Sequence, residues 1–157
     1  HDVAGLKALM KQEIPIIREK TAGMTQFGTA GGVLAVEAWG DLPIKNWRLG
    51  SWEEGAKKTT GQTWLPKTLE SHHSCYGCPI RCSKLIKLDS GPYAGIRGHF
   101  PEYETLAGFG ANCLNDDPEV IMAANDLCNR YGLDTISASA AVAFAMELYE
   151  KGIITKE

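Results

Sequence analysis

The sequence predicts a mainly α chain, an irregular, orthogonally packed helical bundle with long loops. Three observations carry this. Two segments of the last third contain complete helix grammar. "DDPEVIMAANDLCNRYG" places Asp117 at the N-cap, Pro118 at the first helical position, Glu119 in the first turn and Gly132 at a left-handed stop. "DTISASAAVAFAMELYEKG" repeats it from Asp134 to Lys151 and Gly152. Near the start, Leu6, Leu9, Met10, Ile14, Ile16 and Ile17 recur at roughly helical spacing. Strand character is confined to "KLIKL" (84–88).

In chain order, a first helix is expected over residues 3 to about 21, with Pro15 ending or bending it. Gly23 and Gly28 punctuate the next stretch, and "TAGGVLAVEAWG" (29–40) reads as a short helix closed by Gly40. "DLPIKNWRLGS" is a loop, and "WEEGAKKTTG" adds a helical turn or two. A cysteine-bearing loop precedes the 84–88 strand. "SGPYAGIRGHFP" (90–101) is too rich in glycine and proline for regular structure. "PEYETLAGFGANC" starts a helix with Pro101 at its first position. The next helix turns Val120, Ile121, Ala124, Leu127 and Cys128 to one face. The last turns Ile136, Ala140, Ala143, Phe144 and Leu148 inward, and its small residues Ser137 to Ala141 admit another backbone closely. Trp39, Trp47, Trp52 and Trp64 are expected to pack in the core or at interfaces.

Bulk properties narrow the function. The net charge is −3 and charged residues are 22% of the chain, with no basic stripe, so nucleic acid is not an expected partner. No window reaches the ~20 apolar residues of a membrane span. The N-terminal stretch is interrupted by charge and by Pro15, unlike a signal peptide. Five cysteines, an odd number, argue against a secreted disulfide scaffold and for a reducing, cytoplasmic compartment. The opening on His1 rather than methionine suggests a piece of a longer polypeptide.

Chemistry concentrates in "SHHSCYGCPIRCSK" (71–84), where Cys75, Cys78 and Cys82 have C-x2-C-x3-C spacing. A redox pair needs no third thiol. A zinc site made of these cysteines and His72 or His73 is one reading. An iron–sulfur cubane is favoured, because closely spaced thiolates let one loop wrap several corners of a cluster. Gly77 lets such a loop curl, Pro79 stiffens it, and Arg81 puts a positive charge beside an anionic cluster. Radical-SAM enzymes use the reverse spacing, C-x3-C-x2-C, so electron transfer is favoured over radical initiation. A fourth ligand could be Cys113, 31 residues beyond Cys82, a gap also found in molybdopterin enzymes of the formate dehydrogenase type. Cys128 falls on the apolar face of its helix and reads as core.

"SCYGCPIRCSK", together with "FPEYETLAGFGANC" and "DLCNRYGLDTISAS", resembles the tungsten-containing aldehyde ferredoxin oxidoreductase family. "GTAGGV" and "GDLPIKNWRLGSWEEGAKKTTGQT" resemble the stretch preceding its cluster loop. The resemblance covers nearly the whole chain and is to the helical second domain of that multidomain enzyme. It implies that residues 1–157 are an iron–sulfur and pterin-contacting domain, with the N-terminal and C-terminal domains absent. Cys75, Cys78 and Cys82 would then supply three ligands of a [4Fe-4S] cluster. The fourth would come from a cysteine beyond residue 157, leaving Cys113 a bystander.

The resemblance also implies a pterin-holding D-x-x-G-L-D element at Asn129, Gly132, Leu133 and Asp134, with Asn129 in place of the leading aspartate. An asparagine amide still hydrogen-bonds but brings no charge. Glu104 of "PEYETL" is the implied proton acceptor near the metal, with Glu102 a lesser candidate. The implied activity is oxidation of a small aldehyde to a carboxylic acid on a tungsten (or molybdenum) bis-pyranopterin. Electrons would pass to ferredoxin or another electron-transfer subunit, and homo-oligomerisation of the full protein belongs to the same expectation. Two alternatives stand beside it: the tungsten subunit of a class II benzoyl-CoA reductase, and a zinc-binding structural or interaction domain.

Overall fold

The computed structural model describes residues 1–156. Its opening helix, α1 (Val3–Lys20), is capped by Asp2, whose carboxylate accepts from the Gly5 amide at 2.8 Å. Pro15 does not end it. No residue of α1 is buried, so water can solvate the Lys11 carbonyl that loses its intrahelical donor. After α2 (Ala22–Phe27), Gly28 adopts φ 64° and turns the chain into a 3-10 turn (Thr29–Gly32). Only then does α3 (Val33–Ala38) begin, so the helix expected over 29–40 is shorter. The adjacent Gly31 and Gly32 weaken the start of a regular helix there.

Glu53 and Glu54 open α4 (Glu53–Thr59), as the sequence suggests. Extended backbone at Thr60 separates it from α5 (Gly61–Thr68), a helix the sequence reading missed. The break lets Gly61 approach Ala30, whose carbonyl carbon would lie 3.1 Å from a Cβ placed there.

The sheet is small and antiparallel, in the order β1 (Leu69–His73), β2 (Ser83–Lys87), β3 (Arg97–His99). β2 coincides with the expected strand and alternates buried Lys84 and Ile86 with less buried neighbours. β1 is exposed throughout and so lacks the apolar alternation that marks strands. β3 lies in the stretch read as irregular. Cα pairing runs His72 to Lys84 and His73 to Ser83 on one side of β2, and Leu85 to His99 on the other.

Glu102, not Pro101, precedes α6 (Tyr103–Leu106), and Pro101 is buried just outside it. The helix widens into a π-helical turn (Ala107–Asn112), whose last carbonyls are taken by the 45–46 loop. Lys45 N donates to Ala111 O at 2.9 Å and Asn46 N to Asn112 O at 3.0 Å. α7 (Pro118–Tyr131) and α8 (Thr135–Glu150) have the caps read from the sequence. Asp117 accepts from Glu119 N, Gly132 is left-handed at φ 68°, and Asp134 accepts from Ser137 N at 2.8 Å.

The inward faces differ from the apolar pattern. α7 buries Ile121, Met122, Asn125 and Cys128, while Leu127 is exposed. Its rotation is fixed by a polar bond, Asn125 Nδ2 to the His99 carbonyl at 3.0 Å, which apolar periodicity does not register. α8 buries only Ser139 and Ala143, leaving Ile136, Ala140 and Phe144 exposed. Its small stripe does admit a close neighbour: Ser139 packs on Gly108 of the π-helical turn. Val33, Ile44, Leu65, Ile86, Leu106 and Ile121 form the centre of the core. Trp52 and Trp64 pack against it, whereas Trp39 and Trp47 are exposed. The chain is thus a mainly helical, irregular bundle carrying one three-stranded sheet.

Candidate cofactor-binding site

Cys75, Cys78 and Cys82 all lie in the connection between β1 and β2. Cys78 N donates to Cys75 O at 3.1 Å, closing a tight turn in which Gly77 has φ 70°. Arg81 is also left-handed, at φ 57°. Thr25 of α2 donates its hydroxyl to Ile80 O at 2.7 Å. A Cβ at Gly28 would lie 2.8 Å from the Cys82 carbonyl, so only glycine allows this approach. The loop is thereby held by the sheet on one side and by the end of α2 on the other. The three thiols are free, with Cys75 exposed and Cys78 and Cys82 half-buried. Among the described residues, no group of three or more His, Cys, Asp or Glu side chains is gathered to hold a metal ion.

The electrostatics near the loop are cationic. The Lys84 side chain is buried beneath the turn, its ammonium donating to Cys82 O at 2.6 Å and Arg81 O at 3.3 Å. Although largely exposed, His72 is held below the usual imidazole range by partial desolvation first, then by the charges of Lys84 and Arg81. His73 meets His99 edge-on, with ring centroids 5.1 Å apart.

A cleft of about 440 Å³ opens at the end of β3, where His99 and Phe100 line it. It brings together Glu102, Glu104, Asn125, Asn129, Thr135 and His99. Two of the sequence-derived candidates, Glu104 and Asn129, therefore share one cavity although 25 positions separate them. Glu102 is engaged by the Thr29 hydroxyl, which in turn accepts from Tyr103 N at 2.8 Å. Burial raises the Tyr103 phenol above its usual value, helped by the charges of Asp41 and Glu104. Thr105 and Thr135 hydroxyls pair at 2.9 Å, tying α6 to the start of α8.

Gly132, Leu133 and Asp134 form the bend between α7 and α8 beside the cleft and do not line it. Asp134 is committed to its cap, and hydrogen bonds from the Ser137 side chain and amide hold its carboxyl below the usual range. Cys113 lies apart from the loop, half-buried against the Ser139 carbonyl of α8, and burial pushes its thiol up. Cys128 is buried in the core face of α7.

The sequence reading missed Thr29, Lys84 and Asn125. All three are polar groups whose roles come from contacts distant in sequence. Only Asn125 left a trace, as a polar residue interrupting an apolar face.

The donor set suits a thiolate-held iron–sulfur cluster chemically: three free thiols on one anchored loop beside buried positive charge. The cleft lining suits a polar fused-ring cofactor, since Asn125, Asn129 and Thr135 offer both donors and acceptors.

Comparison with known proteins puts the chain first in a class, the helical domains that form one part of much longer proteins. The family model described as "Aldehyde ferredoxin oxidoreductase, domains 2 & 3" matches residues 7–157. The chain belongs to the aldehyde ferredoxin oxidoreductase family. It is 38% identical over 135 residues to the tungsten-containing aldehyde ferredoxin oxidoreductase of Thermococcus kodakarensis, covering 86% of this chain and 22% of that protein. The enzyme of the same name from Pyrococcus furiosus is 38% identical over 136 residues, with the same shares. A Pyrococcus furiosus protein named aliphatic sulfonate oxidoreductase, WOR-like subunit, is 35% identical over 136 residues, covering 84% of this chain and 21% of that protein. The chain thus spans about a fifth of the length of these relatives. Among the described residues no helix is long and apolar enough to cross a membrane.

Proposed function

We propose that residues 1–157 form the cluster-carrying, pterin-contacting helical domain of a tungsten (or molybdenum) bis-pyranopterin enzyme. The enzyme would oxidise small aldehydes to carboxylic acids and deliver electrons to ferredoxin. The observation that carries this is the adjacency of two features on one small sheet. The three-thiol loop joins β1 to β2, His99 of β3 lines the cleft that holds Glu104 and Asn129, and Glu102 lines both that cleft and a recess with Cys82. Identity to enzymes named for aldehyde oxidation and ferredoxin supports the substrate class and the acceptor.

Cys75, Cys78 and Cys82 would hold the [4Fe-4S] cluster, with the fourth thiolate supplied from outside this chain. Asn129 and the Gly132–Asp134 bend would position the pterin, whose bound tungsten supplies two-electron redox chemistry when present. Aldehyde plus water gives acid, two electrons and two protons, so the site needs a proton acceptor. Glu104 takes that role: it is exposed in the cleft at the first turn of α6, while Glu102 is occupied by Thr29. Thr29 and the Thr105–Thr135 pair fix the walls that present it.

Anaerobic metal analysis of the whole protein tests this reading. It should find about four iron and four sulfide per chain, lost in Cys78→Ser and retained in Cys113→Ser. Glu104→Gln should keep the metals and cut aldehyde turnover by at least ~100-fold, the usual contribution of a general base. One zinc per chain without sulfide overturns the cluster assignment. Iron loss in Cys113→Ser makes that residue the fourth ligand.

A further inference from the structure

We propose that Lys84 is a positioning residue whose buried ammonium couples the cysteine turn to the cleft and sets the cluster's reduction potential. This rests on the cluster reading above. Lysine is almost never fully buried unless paired, yet Lys84 is only 2% exposed. Both of its hydrogen-bond acceptors are main-chain carbonyls, those of Cys82 and Arg81. Carbonyl dipoles satisfy the N–H groups but do not neutralise the charge, and among the described residues no carboxylate is in ion-pair contact with it. A thiolate-ligated cluster would bring net negative charge close to it, because Cys82 is two residues away.

The surroundings of Lys84 extend to the cleft. Lys84, Cys82, Gly28, Pro101 and Glu102 line one small recess. The Lys84 carbonyl accepts from Phe100 N at 2.9 Å, which fixes the strand just before Glu102. One cation thus lies between the cysteine turn and a carboxylate that also lines the cleft. Reduction adds an electron to the cluster, so a fixed positive charge nearby favours the reduced form and raises the potential. The Glu102 carboxylate acts in the opposite sense.

The test is an EPR-monitored redox titration of the whole protein, purified anaerobically, with iron content measured on every sample. Lys84→Met should keep the parent's iron and disfavour reduction at least tenfold, a shift of ~59 mV to more negative potential for one electron. Lys84→Arg should stay near the parent, and Glu102→Gln should move the potential upward. Parent-like iron with an unmoved potential in Lys84→Met overturns the proposal. Should Lys84→Met fail to fold, Glu102→Gln decides, and an unmoved potential there overturns it as well. A parent protein without cluster iron refutes the cluster reading itself, and is told apart because it is scored before any substitution.

Discussion

Glu37 shows how one residue fastens a loop. It is a buried carboxylate on α3, accepting from Ser51 Oγ at 2.6 Å and from Trp52 N at 2.9 Å. These bonds, the Ser51 side chain foremost, hold its carboxyl below the usual range, against an upward push from burial. A carboxyl with a lowered folded-state pKa stabilises the fold above its unfolded value, and that stability is lost as pH falls through the folded value. Glu37→Gln should therefore cost about 1.5–3 kcal/mol near neutral pH, the range for hydrogen bonds to a charged group. The cost should shrink steadily below about pH 4.5. Urea unfolding of both proteins across that range measures it; a penalty independent of pH would refute the role of the charge. Nothing local in the sequence marks Glu37, which reads as a polar residue inside an apolar helix. The caps at Asp117 and Asp134 were legible because their partners lie within three residues. Lys84 and Thr29 were illegible for the opposite reason, since burial and pairing arise only once distant segments meet.

The π-helical turn and α8 pack closely at one point. A Cβ at Gly108 would come 2.1 Å from Ser139 Oγ and 2.8 Å from Ser139 Cβ. Gly108→Ala should cost about 1–3 kcal/mol through overpacking. Adding Ser139→Gly should recover part of that loss, because the two sites are coupled through one contact. Denaturant midpoints of the two single variants and the double variant check this, and strict additivity would contradict the packing. Elements with end signals of their own, α7, α8 and the strand near 84–88, were legible. The strands flanking β2 and the helix α5 were not. β1 has no buried face, β3 is three residues long, and α5 is set off from α4 by a single extended residue at Thr60. The cysteine loop was legible from spacing alone; that it joins two strands of one hairpin was not.

For the molecule as a whole, apolar surface is distributed unevenly. α1 buries nothing, and Leu6 and Leu9 are more than half exposed, as are Ile136 and Phe144 on α8. The relatives are about four times as long as this chain, since 135 aligned residues make up 22% of the first, and exposed apolar faces mark surfaces that others cover. Residues 1–157 made alone should therefore self-associate. Sedimentation velocity should show concentration-dependent growth, and a Leu6→Ser, Leu9→Ser, Phe144→Ser triple variant should return the chain towards monomer. Growth unaffected by the triple change would place the adhesive surface elsewhere.

The join between the 45–48 loop and α8 has a consequence for synthesis. Lys45, Asn46 and Trp47 all take left-handed backbone angles, and Asn46 is fastened by donating to Glu147 at 2.6 Å across 101 positions. At roughly 5–20 residues per second, translation leaves that segment waiting about 5–20 s for its anchor. The 45–48 loop stays without this anchor for that interval, until α8 emerges and locks it in place.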